Sequence, residues 1–202
     1  MNRIETARQL VRVGKLAEAL DTIINPTIAE FQELFGSRKT RVYCAAGPTE
    51  TLLYLTKAAA EKEDAITVDA GYAQAFFLKG YVAVERQDIP GAIENISKAI
   101  ELSPRNPQFL CELANIRQNQ EDWAKAMELY ARAAESAPVF DCEGDTFHQR
   151  RALRGQAFVL VELTRLDEAE RLYRRCIELD PADRMAAEEL HNIASLRSRT
   201  AK

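Results

Sequence analysis

Apolar positions recur three and four residues apart through most of this chain, the spacing of one helix face, and the pattern repeats as a block. Ala92-Ile93-Glu94, Ile96, Ala99 and Pro104 return 34 residues later as Ala126-Met127-Glu128, Tyr130, Ala133 and Pro138. A third copy, Leu166-Asp167-Glu168-Ala169-Glu170 with Tyr173, Cys176 and Pro181, stands a further 43 residues on, so nine extra residues separate it from the second. Gly80, Ala114 and Ala157 keep the same two spacings on the preceding helices. A fixed period of this size marks a repeat architecture.

The residue types suit paired helices. Small residues (Gly80, Ala114 and Ala157 on first helices, Ala92, Ala126 and Ala169 on second helices) allow close approach, while Ile96, Tyr130 and Tyr173 fill the space between pairs. Pro104, Pro138 and Pro181 are expected to end each second helix, because proline donates no bond to a helix ladder.

These positions together resemble the tetratricopeptide repeat, a helix–turn–helix unit of 34 residues. The resemblance is close over 73–106, 107–140 and 150–183, about half the chain. The family's first-helix Trp is replaced by Phe76, Leu110 and Leu153, and its Leu-Gly pair by Lys79-Gly80, Leu113-Ala114 and Gln156-Ala157. The resemblance implies an all-α, right-handed TPR helical solenoid of about four to five helix pairs, closed by a C-terminal capping helix over 184–202.

Residues 1–72 read as divergent repeat-like helices. Gly14-Lys15-Leu16-Ala17-Glu18-Ala19-Leu20 resembles the turn and second-helix opening of an eroded unit. Asn25-Pro26 predicts a fresh N-cap and a helix to about Phe35. Residues 36–41 read as a basic turn or helix start, 42–46 as a short helix broken by Gly47-Pro48, and 64–72 as a connection. Residues 49–63, with Leu52, Leu53, Leu55 and Ala59 on one face, read as a second helix packing against 73–85. In the insertion 141–149, Asp141, Gly144 and Asp145 favour a turn, with Asp145 or Thr146 capping the next helix. Residues 184–196 make an amphipathic helix whose apolar face carries Met185, Leu190 and Ile193.

Composition narrows the function classes. Hydrophobic residues at 47%, charged residues at 29% and a net charge of −4 suit a folded helical protein and give no global case for nucleic acid or an anionic membrane. Neither a signal peptide nor a membrane-spanning run is visible, and Cys44, Cys111, Cys142 and Cys176 lack paired spacing, so a cytoplasmic location with free thiols is expected. Cys176 replaces the alanines at 99 and 133 and reads as a small buried hydrophobe, whereas Cys142 is the thiol expected to be exposed. With two histidines, His148 and His191, and no nucleophile, metal or phosphate-loop motif, the chain is read as a non-enzyme without cofactor or metal.

The resemblance implies a concave groove lined by first helices. It assigns Gln74, Phe77 and Tyr81 to one unit, Gln108, Cys111, Glu112, Asn115 and Gln118 to the next, and Arg151, Arg154, Phe158 and Glu162 to the third. Aromatic anchors beside amides and guanidinium groups suit a peptide or helix of a partner protein, while the plain alternative has Phe77 and Phe158 packing between repeats. Family members that hold acidic chaperone tails carry a Lys and Asn clamp. Here Phe77 and Tyr81 occupy its first sites and Glu112 replaces an Asn, so that role is not expected. Arg150, Arg151 and Arg154 beside His148, and Arg171, Arg174 and Arg175, are either solvated faces or docking sites for an acidic segment. The expected function is thus a protein-binding module acting as adaptor, chaperone or immunity-type inhibitor. The alternative is a structural subunit that self-associates into a homo-oligomer.

Overall fold

The computed structural model describes residues 3–140 and 145–200, in two compact units, Met1–Pro104 and Arg105–Lys202. The first unit runs α1 (Arg3–Arg12), α2 (Leu16–Ala19), a π-helical turn (Leu20–Ile24), α3 (Asn25–Phe35), β1 (Arg41–Ala45), α4 (Pro48–Glu61), β2 (Ala65–Asp69), α5 (Gly71–Glu85) and α6 (Ile89–Leu102).

Three expectations for this unit are overturned. Asn25 does not start a new helix: backbone from Leu16 to Phe35 is continuous, and the Asn25 N–H reaches back to the Leu20 carbonyl. Pro26 cannot donate to the carbonyl four residues behind it, and the wider π spacing accommodates its ring inside the helix. The buried Thr27 hydroxyl donates to the Ile23 carbonyl at 2.7 Å.

Secondly, the stretch expected as a short helix at 42–46 is instead strand β1, which runs from Arg41 to Ala45, and 64–72 hold its partner. β1 and β2 pair in parallel, Arg41 beside Ala65 through Ala45 beside Asp69. The backbone groups of the two runs that face each other are satisfied by this pairing. Thirdly, α4 is the crossover between these strands and packs on them rather than on 73–85. Tyr54 of α4 stacks on Tyr43 of β1, with ring centroids 5.2 Å apart. The helices beside α5 are α1, α3 and α6. Phe31 meets Tyr72 and Phe76 at the α3–α5 seam, and a Cβ at Gly80 would lie 2.6 Å from Ile96 at the α5–α6 seam.

The second unit is a run of antiparallel helices: α7 (Pro107–Asn119), α8 (Trp123–Phe140), α9 (Phe147–Glu162), α10 (Leu166–Leu179) and α11 (Arg184–Thr200). Ala114, Ala126, Ala133, Ala157 and Ala169 are fully buried, as their role at the seams requires. Helices α6 and α10 stop before Pro104 and Pro181, but α8 continues through Pro138 to Phe140. Proline removes one donor, and the buried Ser136 and Ala137 keep that turn packed on its neighbours.

The period is written in the backbone as well. Gln87, Glu121 and Thr164 all adopt left-handed conformation, with φ of 61°, 58° and 57°, at the 34- and 43-residue spacings of the repeat. Gly14 also has a positive φ, 76°. Before α9, Asp145 accepts from the Phe147 N–H at 2.8 Å. The expectations for Asp141, Cys142 and Gly144 fall outside the described residues.

Candidate functional site

Within the second unit, the first helices α7, α9 and α11 wall a cavity of about 440 Å³. Asn115 and Gln118 come from α7, Arg151, Arg154 and Phe158 from α9, and Met185, Glu188 and Glu189 from α11. Tyr130 and Tyr173, on second helices, form part of its lining.

Tyr130 organises one wall. Its hydroxyl donates to Asn115 and sits 3.0 Å from the Gln118 side-chain oxygen. The ring lies flat against Gly155, where any Cβ would come within 2.3 Å of it. Burial pushes the Tyr130 phenol up, so it stays a neutral donor.

The arginines have partners within this unit. Arg151 donates to Glu112 at 2.7 Å, Arg150 donates to Asp183 at 2.9 Å, and Arg154 donates to the same Asp183 oxygen. Asp180 is a further partner of Arg150, at 3.0 Å. The other oxygen of Asp183 accepts from the Ala186 N–H at 3.1 Å, capping α11. Burial works to raise the Asp183 carboxyl, but Ala186 and the two guanidinium groups together hold it below the ordinary range. The reading of Arg150, Arg151 and Arg154 as a docking patch for an acidic segment is therefore corrected: their charge is matched internally. Arg171, Arg174 and Arg175 likewise face Glu168, Glu170 and Glu178.

Other expected groove residues separate into surface and interior. Phe158 is 37% exposed and lines the cavity, whereas Cys111 is fully buried, its thiol pushed up to about 12 by desolvation. Gln108 is half-buried and Glu162 exposed, and neither borders the cavity. In the first unit Phe77 is buried, Gln74 accepts from Arg8 at 2.7 Å, and Tyr81 lies at the surface. Neither Cys111 nor Phe77 presents surface to a ligand. Cys44 and Cys176 are buried too, their thiols raised to about 12 and about 11, and Cys176 fills the small-residue seat expected of it.

The sequence reading missed α11 as a wall. Met185, expected inside the core, is 63% exposed beside the cavity. Its signal was present: one more 34-residue period beyond Arg151 and Arg154 falls on Met185 and Glu188, so α11 is the first helix of another unit as well as a cap. Among the described residues no group of His, Cys, Asp and Glu is arranged to hold a metal ion. None of the helices there is long and apolar enough to cross a membrane.

Residues 156–183 match the family model described as tetratricopeptide repeat. Solved structures extend the likeness. The first TPR of Spaghetti (RPAP3) bound to the HSP90 peptide SRMEEVD is 22% identical, with 65% of this chain and 97% of that chain covered at a TM-score of 0.55. The N-terminal domain of stress-induced protein-1 from C. elegans is 19% identical, with 62% and 96% covered, also at 0.55. Pseudomonas aeruginosa pilF is 13% identical, with 98% of this chain and 68% of that chain covered at 0.64. No curated protein sequence matches. At these identities the likeness is one of fold, the helical repeat of tetratricopeptide-repeat proteins.

Proposed function

We propose that this tetratricopeptide-repeat protein is a non-catalytic binding module that takes a peptide of a partner protein into the cavity walled by α7, α9 and α11. The observation that carries the reading is the company of side chains there. Phe147, Phe158 and Met185 are exposed around one cavity, with the amides of Asn115 and Gln118 beside them. Apolar side chains left open around a concavity, with a few oriented polar groups, are the makings of a peptide anchor pocket. A structural neighbour holds an HSP90 peptide. Acidic tails of that kind are not the expected ligand here, because Glu112 stands at a clamp position and is paired with Arg151.

Panning the full chain against displayed short peptides tests the reading, with selected peptides titrated against Phe158→Ala and Met185→Ala. Met185 is largely solvent-facing and Phe158 partly so, and neither belongs to the buried core, so the variants are expected to fold and to bind at least about tenfold more weakly. Peptides that bind both variants like wild type would refute the assignment. Arg154 is unsuited to this test, since it holds Asp183.

A further inference from the structure

The sheet of the first unit ends in an open edge. β1 is covered on its outer side: the Ser103 hydroxyl of α6 donates to the Cys44 carbonyl at 2.7 Å, and Arg41 reaches the Glu101 carbonyl at 2.9 Å. β2 has no such cover. The Arg41 N–H bonds to the Asp64 carbonyl, and with the parallel register this fixes which groups of β2 face β1. Ile66 and Val68 direct their N–H and C=O inward; Ala65, Thr67 and Asp69 direct theirs outward. Among the described residues those outward groups have no hydrogen-bond partner.

Natural edges are blunted by proline, lysine or a bulge, and an isolated two-stranded sheet is marginal in water. Residues 65–69 carry none of these devices, and three consecutive β-branched side chains, Ile66, Thr67 and Val68, are half-buried on them. We propose that the edge of β2 is a docking site for an extended segment of a partner protein, added as a third strand through its main chain. Charge selects that segment. Within 62–69 the exposed Glu63, Asp64 and Asp69 outnumber the one cation, Lys62, so the occupant bears Lys or Arg at its ends and β-branched residues between them. A second copy of this chain fits poorly: two-fold antiparallel pairing through Thr67 would set Asp69 of one copy opposite Ala65 of the other, gathering Glu63 and Asp64 of one copy and Asp69 of its mate at each end with one Lys62 to offset them. The inference rests on backbone hydrogen bonding in the first unit and is independent of the cavity in the second.

The test titrates fluorescent peptides of about seven residues, alternating Val and Thr with Lys at both ends, against the full chain. Controls are the same peptide N-methylated on alternate amides and a version with Glu ends. Saturable binding of the Lys-ended peptide is expected, weakened about tenfold or more by N-methylation and by Thr67→Pro. The Thr67 N–H faces outward, so proline there removes an edge donor and leaves the ladder to β1 intact. In the surface variant Glu63→Lys, Asp64→Lys, which leaves the Asp69 bond to the Gly71 N–H in place, the preference should shift toward the Glu-ended peptide, which keeps the test decisive should Thr67→Pro fold poorly. Absence of saturable binding overturns the proposal, as does binding indifferent to N-methylation. Sedimentation showing a dimer that Thr67→Pro dissolves would place a second copy on the edge instead, and would also overturn it.

Discussion

Arg150 of α9 donates to one carboxylate oxygen of Asp183 at 2.9 Å, while the other oxygen of Asp183 caps α11. One nearly buried side chain thus ties the last helix to the preceding repeat and orders the wall that carries Met185 and Glu188. Asp183→Ala removes the cap and strands Arg150 and Arg154 without their partner, at an expected cost of about 3 kcal/mol in urea unfolding.

The same residue sets a pH dependence. Because the folded carboxyl lies below its ordinary range, Asp183 contributes stability that is complete above its unfolded value, about 3.9, and is lost as pH falls through the folded value. The stability gap between wild type and Asp183→Asn should be constant near neutrality and close under acid. A gap that widened toward low pH would contradict the assigned direction.

Gly155 and Tyr130 form a second dependent pair. A methyl group at 155 would meet the Tyr130 ring, so Gly155→Ala is expected to cost about 1–3 kcal/mol despite alanine's better helix propensity. Combining it with Tyr130→Leu should recover part of that loss, and thermal melts of the double-mutant cycle measure the coupling.

In the first unit, Ser103 is buried and donates to the Cys44 carbonyl of β1. Ser103→Ala leaves that carbonyl unsatisfied, with an expected penalty of about 1–3 kcal/mol. Ser103→Thr retains the hydroxyl and should recover part of it, which separates hydrogen bonding from packing.

Thr164 holds a left-handed conformation that branched side chains disfavour by about 1–2 kcal/mol. Thr164→Gly removes that strain at the cost of a more flexible unfolded chain, so a net gain of up to about 1 kcal/mol is expected. An unchanged or lower melting temperature would show that the threonine contributes something its backbone does not reveal.

Thiol chemistry gives a last check. Burial raises Cys44, Cys111 and Cys176 well above neutrality, which suppresses the reactive thiolate. In a Cys142→Ser chain, labelling by a thiol reagent should be negligible until denaturant is added.

The sequence alone determined the repeat. Seams made by Ala114, Ala126, Ala157 and Ala169, helix stops before Pro104 and Pro181, and the buried role of Cys176 all follow from one period, because packing of neighbouring helix pairs demands the same residue type at the same place. Tertiary structure alone decided the rest. Residues 41–45 and 65–69 became strands because each found the other across an intervening helix, a partnership that local pattern does not encode. Arg151 and Arg154 read as a solvated face or a docking site for an acidic segment until Glu112 and Asp183 were seen beside them. Met185 took the cavity instead of the core because α11 turns its Ala186 and Ile193 face inward. Charge pairing and side-chain exposure depend on which helices meet, and that is settled only when the chain has folded.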